Sequence, residues 1–249
     1  MRRFFIEEIN PEVGLCIIPK KEAGHMVKVL RMKQGDRFIL MDAKGNRFEA
    51  VLEDISRHEV SARIIRELPG PTSSPIAINI YQALLKPRMM DYLVEKTSEL
   101  GVSRIKPFYS ERTVIRLDQN STSNKLRHWK EIARSSSKQS GRLTPVDITE
   151  PVQFDELIKS ISKTNGLKVV LWEGENITDL KELLRSKKPS KNFFGVIGPE
   201  GGFARKEIDQ LKDAAIIPVS LGSRILRAET AAIALTTIIQ YEWGDLGIR

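Results

Sequence analysis

The 249-residue chain holds a single cysteine, Cys16, and three histidines, His25, His58 and His128. One thiol excludes an intrachain disulfide framework and a cysteine-built metal site. The histidines lie far apart and follow no zinc spacing, so no structural metal is expected. A reducing, cytoplasmic compartment is expected with it. No segment approaches the roughly eighteen uninterrupted apolar residues of a membrane span. The short run Phe4-Phe5-Ile6 is cut off by Glu7 and Glu8 and does not read as a signal peptide. Two phosphate-binding signatures are also missing. No glycine loop is followed by Lys-Ser or Lys-Thr, and there is no GxGxxG. That disfavours a P-loop NTPase and a dinucleotide-dependent dehydrogenase.

What is present is ordinary globular material with a basic bias. Apolar residues make up 41% and charged residues 29%, and 40 Lys+Arg against 32 Asp+Glu leave a formal net charge of +8. Such a balance fits a polyanionic partner, most simply nucleic acid, although surface charge also serves solubility. The length suits two domains.

The pattern changes once along the chain. Up to residue 68 it predicts short strands at 3–7, 15–18, 36–41, 48–55 and 60–66, rich in β-branched and aromatic residues. Lys44-Gly45-Asn46 marks a hairpin turn. One helix is predicted at 23–32, and strands closing around a helix suggest a small β-barrel. Leu68-Pro69-Gly70-Pro71-Thr72-Ser73-Ser74-Pro75 can be neither helix nor central strand, so residues 69–75 read as a linker. From 76 to 249 strands alternate with helices. Strands are expected at 76–84, 104–108, 167–172, 193–197 and 218–221. Helices are expected at 87–100, 124–139, 154–162, 177–185, 205–214 and 229–243. That alternation implies an α/β domain with a mostly parallel sheet covered on both faces.

Two segments carry the chemical signal. The strand Phe193-Phe194-Gly195-Val196-Ile197 runs into Gly198-Pro199-Glu200-Gly201-Gly202-Phe203. Three glycines at a strand end let a flat ligand lie against the main chain. A tight turn that binds nothing is the competing reading. The second segment is Leu221-Gly222-Ser223-Arg224-Ile225-Leu226-Arg227-Ala228-Glu229-Thr230-Ala231. It offers apolar contact surface and two fixed positive charges, with Glu229 and Thr230 placed to cap the last helix. With the phosphate signatures missing, a small nucleoside-type ligand held by backbone groups fits both segments.

GPEGGF, followed about twenty residues later by LGSRILRAETA, resembles the paired cofactor motifs of the SPOUT methyltransferases. More narrowly it resembles the ribosomal RNA small-subunit methyltransferase E family. The likeness extends to the N-terminal RRFF, the run from His25 to Asp36, Gln82-Ala83-Leu84-Leu85-Lys86, Glu111-Arg112-Thr113 and Gln139-Ser140-Gly141-Arg142. The resemblance implies a PUA-like RNA-binding β-barrel (1–68) and a SPOUT α/β domain (76–249) ending in a trefoil knot. It implies a homodimer, S-adenosylmethionine as cofactor, and methylation of N3 of one uridine, uridine 1498, in 16S ribosomal RNA. It places the cofactor at Leu171, Trp172, Glu173, Ile197, Gly198, Pro199, Gly201, Gly202, Leu221, Gly222, Ile225, Leu226, Arg227, Thr230 and Ala231.

For such a transfer Arg227 is the expected stabiliser of a uracil anion, and Glu229 or Glu200 the proton acceptor. RNA contacts are expected from Arg2, Arg3, Lys28, Arg31, Lys33, Lys86, Arg112 and Arg142, each of which has surface charge as its plain alternative. The rival functions are a SPOUT enzyme acting on another RNA position and a non-catalytic RNA-binding assembly factor.

Overall fold

The computed structural model describes residues 2–6, 9–10, 14–42, 46–56, 59–68, 74–142, 144–174 and 178–247. The turn expected at Lys44-Gly45, His58 and most of the linker lie outside the described residues. The chain forms two compact units. One comprises Met1–Thr72 with Ser137–Thr144, and the other Ser73–Ser136 with Pro145–Arg249.

The first unit is a five-stranded sheet in the order β1-β3-β4-β5-β2. Its strands are β1 (Arg3–Phe5), β2 (Leu15–Ile17), β3 (Arg37–Met41), β4 (Arg47–Ile55) and β5 (Val60–Leu68). β1 runs parallel to β3, and the remaining pairs are antiparallel. Phe4, Phe38, Leu40, Phe48 and Leu52 project to one core with Met26, which is fully buried. Met26 belongs to the predicted helix, which starts earlier than expected as α1 (Lys20–Gly24) and continues as a single π turn, His25–Val29. The register between β4 and β5 slips at Glu49/Ala50, a bulge that leaves Ile65 outside the pairing and 39% exposed. Beside it, Glu49 opposite Arg66 takes ion pairs from Arg66 at 2.8 Å and Arg37 at 3.2 Å.

The second unit is a parallel sheet in the order β12-β10-β11-β6-β7-β8, with β9 paired to β7. Its strands are β6 (Ala77–Ala83), β7 (Arg104–Tyr109), β8 (Asp147–Ile148), β9 (Val152–Gln153), β10 (Leu167–Leu171), β11 (Asn192–Ile197) and β12 (Ile217–Val219). The helices are α2 (Pro87–Glu99), α3 (Gln119–Ser140), α4 (Phe154–Ser162), α5 (Leu180–Ser186), α6 (Arg205–Asp213) and α7 (Ala228–Trp243). Strand alternation sorts the two faces. Ile78, Ile80, Val169 and Phe193 pack with α2, α5 and α7, whereas Tyr81, Val170, Phe194 and Val196 pack with α4 and α6. Gly195 permits the first arrangement, because a Cβ there would run into Leu235 of α7. Trp129, 2% exposed, ties α3 to α2 through an indole N–H donated to Asp91 at 3.1 Å.

The strand order places β12, β10 and β11 side by side although β12 is last in sequence. Their carboxyl ends therefore converge, which is where open parallel sheets bind ligands.

Candidate functional site

A cavity of about 590 Å³ opens at those three strand ends. This is the size range of small-molecule sites. β10 leads into Leu171, Trp172 and Glu173. β11 leads into residues 197–203, and β12 into residues 219–222. The stretch 224–231, which enters α7, completes the wall. The two glycine-rich segments, about twenty residues apart in sequence, thus face one space. Every residue expected at the cofactor lines it except Thr230, which is exposed on the first turn of α7.

The glycine turn is held from several sides. The Gly202 N–H donates to the Pro199 carbonyl at 2.9 Å. Gln82, fully buried at the end of β6, donates its amide to the Gly198 carbonyl at 3.1 Å. Arg112 donates to the Gly201 carbonyl at 3.0 Å. Gly202 has φ +68°, a left-handed conformation that side chains disfavour, and a Cβ there would sit 3.0 Å from a Glu173 carboxylate oxygen. The buried Glu207 carboxylate fixes the following helix. It accepts from the Ala204 N–H and from the Glu111 N–H, each at 2.9 Å.

Three expected catalytic residues, Arg227, Glu229 and Glu200, all line the cavity, in different settings. Arg227 is exposed and is the N-cap of α7, its carbonyl accepting from the Ala231 N–H at 2.8 Å. Glu229 is buried in the first turn of α7, where the helix dipole favours negative charge. Glu200 is exposed, and its carboxylate accepts from the Lys86 backbone N–H at 3.0 Å, tying the glycine turn to the start of α2. Glu200 therefore has a structural task that the sequence did not suggest.

Trp172 is gripped by cations from α6, with the Arg205 guanidinium 5.1 Å and the Lys212 ammonium 5.5 Å from its ring. Met89, Phe203 and Val219 also line the cavity, unanticipated as lining residues. Phe203 closes the GPEGGF motif, so the sequence named it without assigning it to the ligand. Met89 carries no signal beyond the helical spacing of a packing residue.

The basic residues expected at RNA divide between the units. In the first, Arg2, Arg3, Lys28, Arg31 and Lys33 are exposed. Arg2 donates to the Leu30 carbonyl and Arg3 to the Gln139 carbonyl, each at 3.3 Å, so these two also brace their own unit. Arg142, half-buried just past α3, belongs to the same unit. In the second, Lys86 and Arg112 are exposed, and Lys86 lines the cavity. Among the described residues no three His, Cys, Asp or Glu side chains gather as a metal ion needs, and no helix is long and apolar enough to cross a membrane.

Comparison with known proteins places this architecture. The RNA methyltransferase domain family matches residues 72–240, and the RNA methyltransferase PUA domain family matches residues 18–65. The ribosomal RNA small subunit methyltransferase E of Buchnera aphidicola subsp. Schizaphis graminum is 30% identical over 98% of this chain and 96% of its own. The crystal structure of a ribosomal RNA small subunit methyltransferase E from Neisseria gonorrhoeae bound to S-adenosyl methionine is 31% identical. It superposes with a TM-score of 0.83, covering 98% of this chain and 99% of that one. A putative methyltransferase from Legionella pneumophila, in complex with the same cofactor, is 30% identical with a TM-score of 0.82, covering 98% of each chain. With a PUA-like first unit, a parallel α/β second unit and both glycine motifs on one cavity, this chain belongs to the ribosomal RNA small subunit methyltransferase E family.

Proposed function

We propose that the chain methylates N3 of one uridine, uridine 1498, in the 16S RNA of the small ribosomal subunit, with S-adenosylmethionine as donor. The observation that carries this reading is the one cavity built jointly by residues 197–203, 219–222, 224–229 and 231 at three adjacent strand ends.

The residues present fit the donor. Gly198, Gly201, Gly202 and Gly222 give walls of bare backbone, and Leu171, Ile197, Leu221 and Leu226 give apolar contact. Glu173 and the main chain at 197–202 and 221–227 offer the polar anchors. Thr230, outside the lining, serves α7 rather than the cofactor. Bound there, S-adenosylmethionine supplies an electrophilic methyl group. The protein has to align N3 with that group, exclude water and stabilise the uracil as its N3 proton leaves. Arg227, charged and exposed at the cavity, serves the negative charge that develops on the base oxygens. Glu229, buried at the same wall, takes the N3 proton. It is preferred to Glu200 because the Glu200 carboxylate is already engaged by the Lys86 N–H.

The first unit and its exposed Arg2, Arg3, Lys28, Arg31 and Lys33, with Arg142 beside them, serve as the RNA-binding domain. Lys86 and Arg112 serve the RNA near the cavity. A homodimer, a trefoil threading of the C-terminal segment and a cytoplasmic location complete the proposal. Calorimetric titration with S-adenosylmethionine, followed by methyl transfer to small subunits that lack the modification, tests it. Saturable binding and transfer to small subunits but not large ones are expected. Binding without transfer to any ribosomal RNA would favour a non-catalytic assembly factor.

A further inference from the structure

Ile225 is the most exposed large apolar residue among the described residues, at 84%, and it sits on the cavity wall. Its neighbours on the loop differ. Leu221 and Leu226 are half-buried and pack against the core, so they are the apolar surface available to a ligand inside the cavity. Arg224 and Arg227, on either side of Ile225, are exposed on the cavity wall, and their guanidinium groups have no hydrogen-bond or ion-pair partner among the described residues. What sets Ile225 apart from the other exposed apolar residues is its place on the cavity wall between two free guanidinium groups, which makes it a surface for a covering group. The covering group has to be apolar on its face and anionic at its edges. The chain's net charge of +8 favours an anionic partner, and an unstacked nucleotide meets both demands.

Resting on the reading of the cavity as a methyltransferase site, we propose that the Ile225 side chain is the platform on which the extruded target base lies. The main chain of the same residue stays with the cofactor wall. Arg224 takes a phosphate flanking that base, and Arg227 reaches the oxygens of its ring. The loop thus divides its labour within three residues: Leu226 faces the donor and Ile225 the acceptor.

The test compares Ile225→Ser and Ile225→Leu with the unaltered protein. The readouts are methyl transfer to unmodified small subunits, S-adenosylmethionine affinity by calorimetry, and mass by light scattering. The proposal expects Ile225→Ser to lower kcat/KM for the subunit by about tenfold or more, the scale of losing one buried aliphatic contact. Cofactor affinity should stay within about twofold and mass should not change, with Ile225→Leu close to the unaltered protein. Retained kcat/KM in Ile225→Ser overturns the proposal. So does an equal loss of cofactor affinity, which makes Ile225 a cofactor contact, or a fall in mass, which makes it an interface residue. Failure of the unaltered protein to methylate any small subunit strikes the proposed function instead, and is thereby distinguishable.

Discussion

Arg227 and Glu229 sit two positions apart at the start of α7 and take opposite tasks, charge stabilisation and proton acceptance. Arg227→Ala should cut kcat by about 100-fold or more, the usual cost of losing one preorganised charge stabiliser. Cofactor affinity should change little, because the Arg227 backbone still caps the helix. Steady-state kinetics at saturating cofactor would show it, and unchanged turnover removes Arg227 from its role. Glu229→Gln should likewise lower kcat, since an amide cannot take the proton. Glu200→Gln should be mild, because a glutamine oxygen can still accept from the Lys86 N–H now held at 3.0 Å. The reverse order of effects would exchange the two residues. Gly202 tests the backbone. Its φ of +68° costs an alanine about 1–2 kcal/mol. Gly202→Ala should therefore lower the folded/unfolded ratio by roughly 5–30-fold, read in a denaturant titration.

At the scale of elements, the ion cluster on the first sheet makes a pH prediction. The Arg66 hydrogen bond, aided by Arg37 and opposed by burial, holds the Glu49 carboxyl below the usual carboxylate range. Its stabilisation is thus fully present above the carboxylate pKa of an unfolded chain and is lost as pH falls through the lower folded value. Glu49→Gln should lower Tm at neutral pH, and the difference from the unaltered protein should shrink toward acid. Thermal melts at several pH values check this, and a difference independent of pH would contradict it.

Most elements were legible because their signals are local. The apolar runs at 167–172 and 193–197, and Pro87 opening α2, suffice without any tertiary knowledge. What escaped depends on contacts distant in sequence. β8 and β9 have two residues each, and only the edge of β7 makes them strands. α3 begins at Gln119, five residues before the predicted start, within a stretch of Asn, Ser and Thr that propensity alone reads as loop. The π turn at His25–Val29 has no sequence signature, and it places Met26 at the centre of its core. The site was legible in its two glycine motifs. The engagement of Glu200 by Lys86, and the grip of Arg205 and Lys212 on Trp172, required the fold.

For the whole molecule, the excess of 40 basic over 32 acidic residues is read as an RNA-binding surface spread over both units. Affinity for small subunits should then fall by about a thousandfold or more between roughly 50 and 200 mM salt. Filter binding across that range would reveal it, and an affinity indifferent to salt would refute the phosphate contacts. One cavity, one donor and one base make a narrower expectation. Its most direct test incubates small subunits lacking the modification with the purified protein and methyl-labelled S-adenosylmethionine, then maps the labelled nucleoside by mass spectrometry. A single labelled nucleotide in 16S RNA, a uridine carrying the methyl on N3, is expected. Label on a ribose, on another base or on no RNA at all would contradict it.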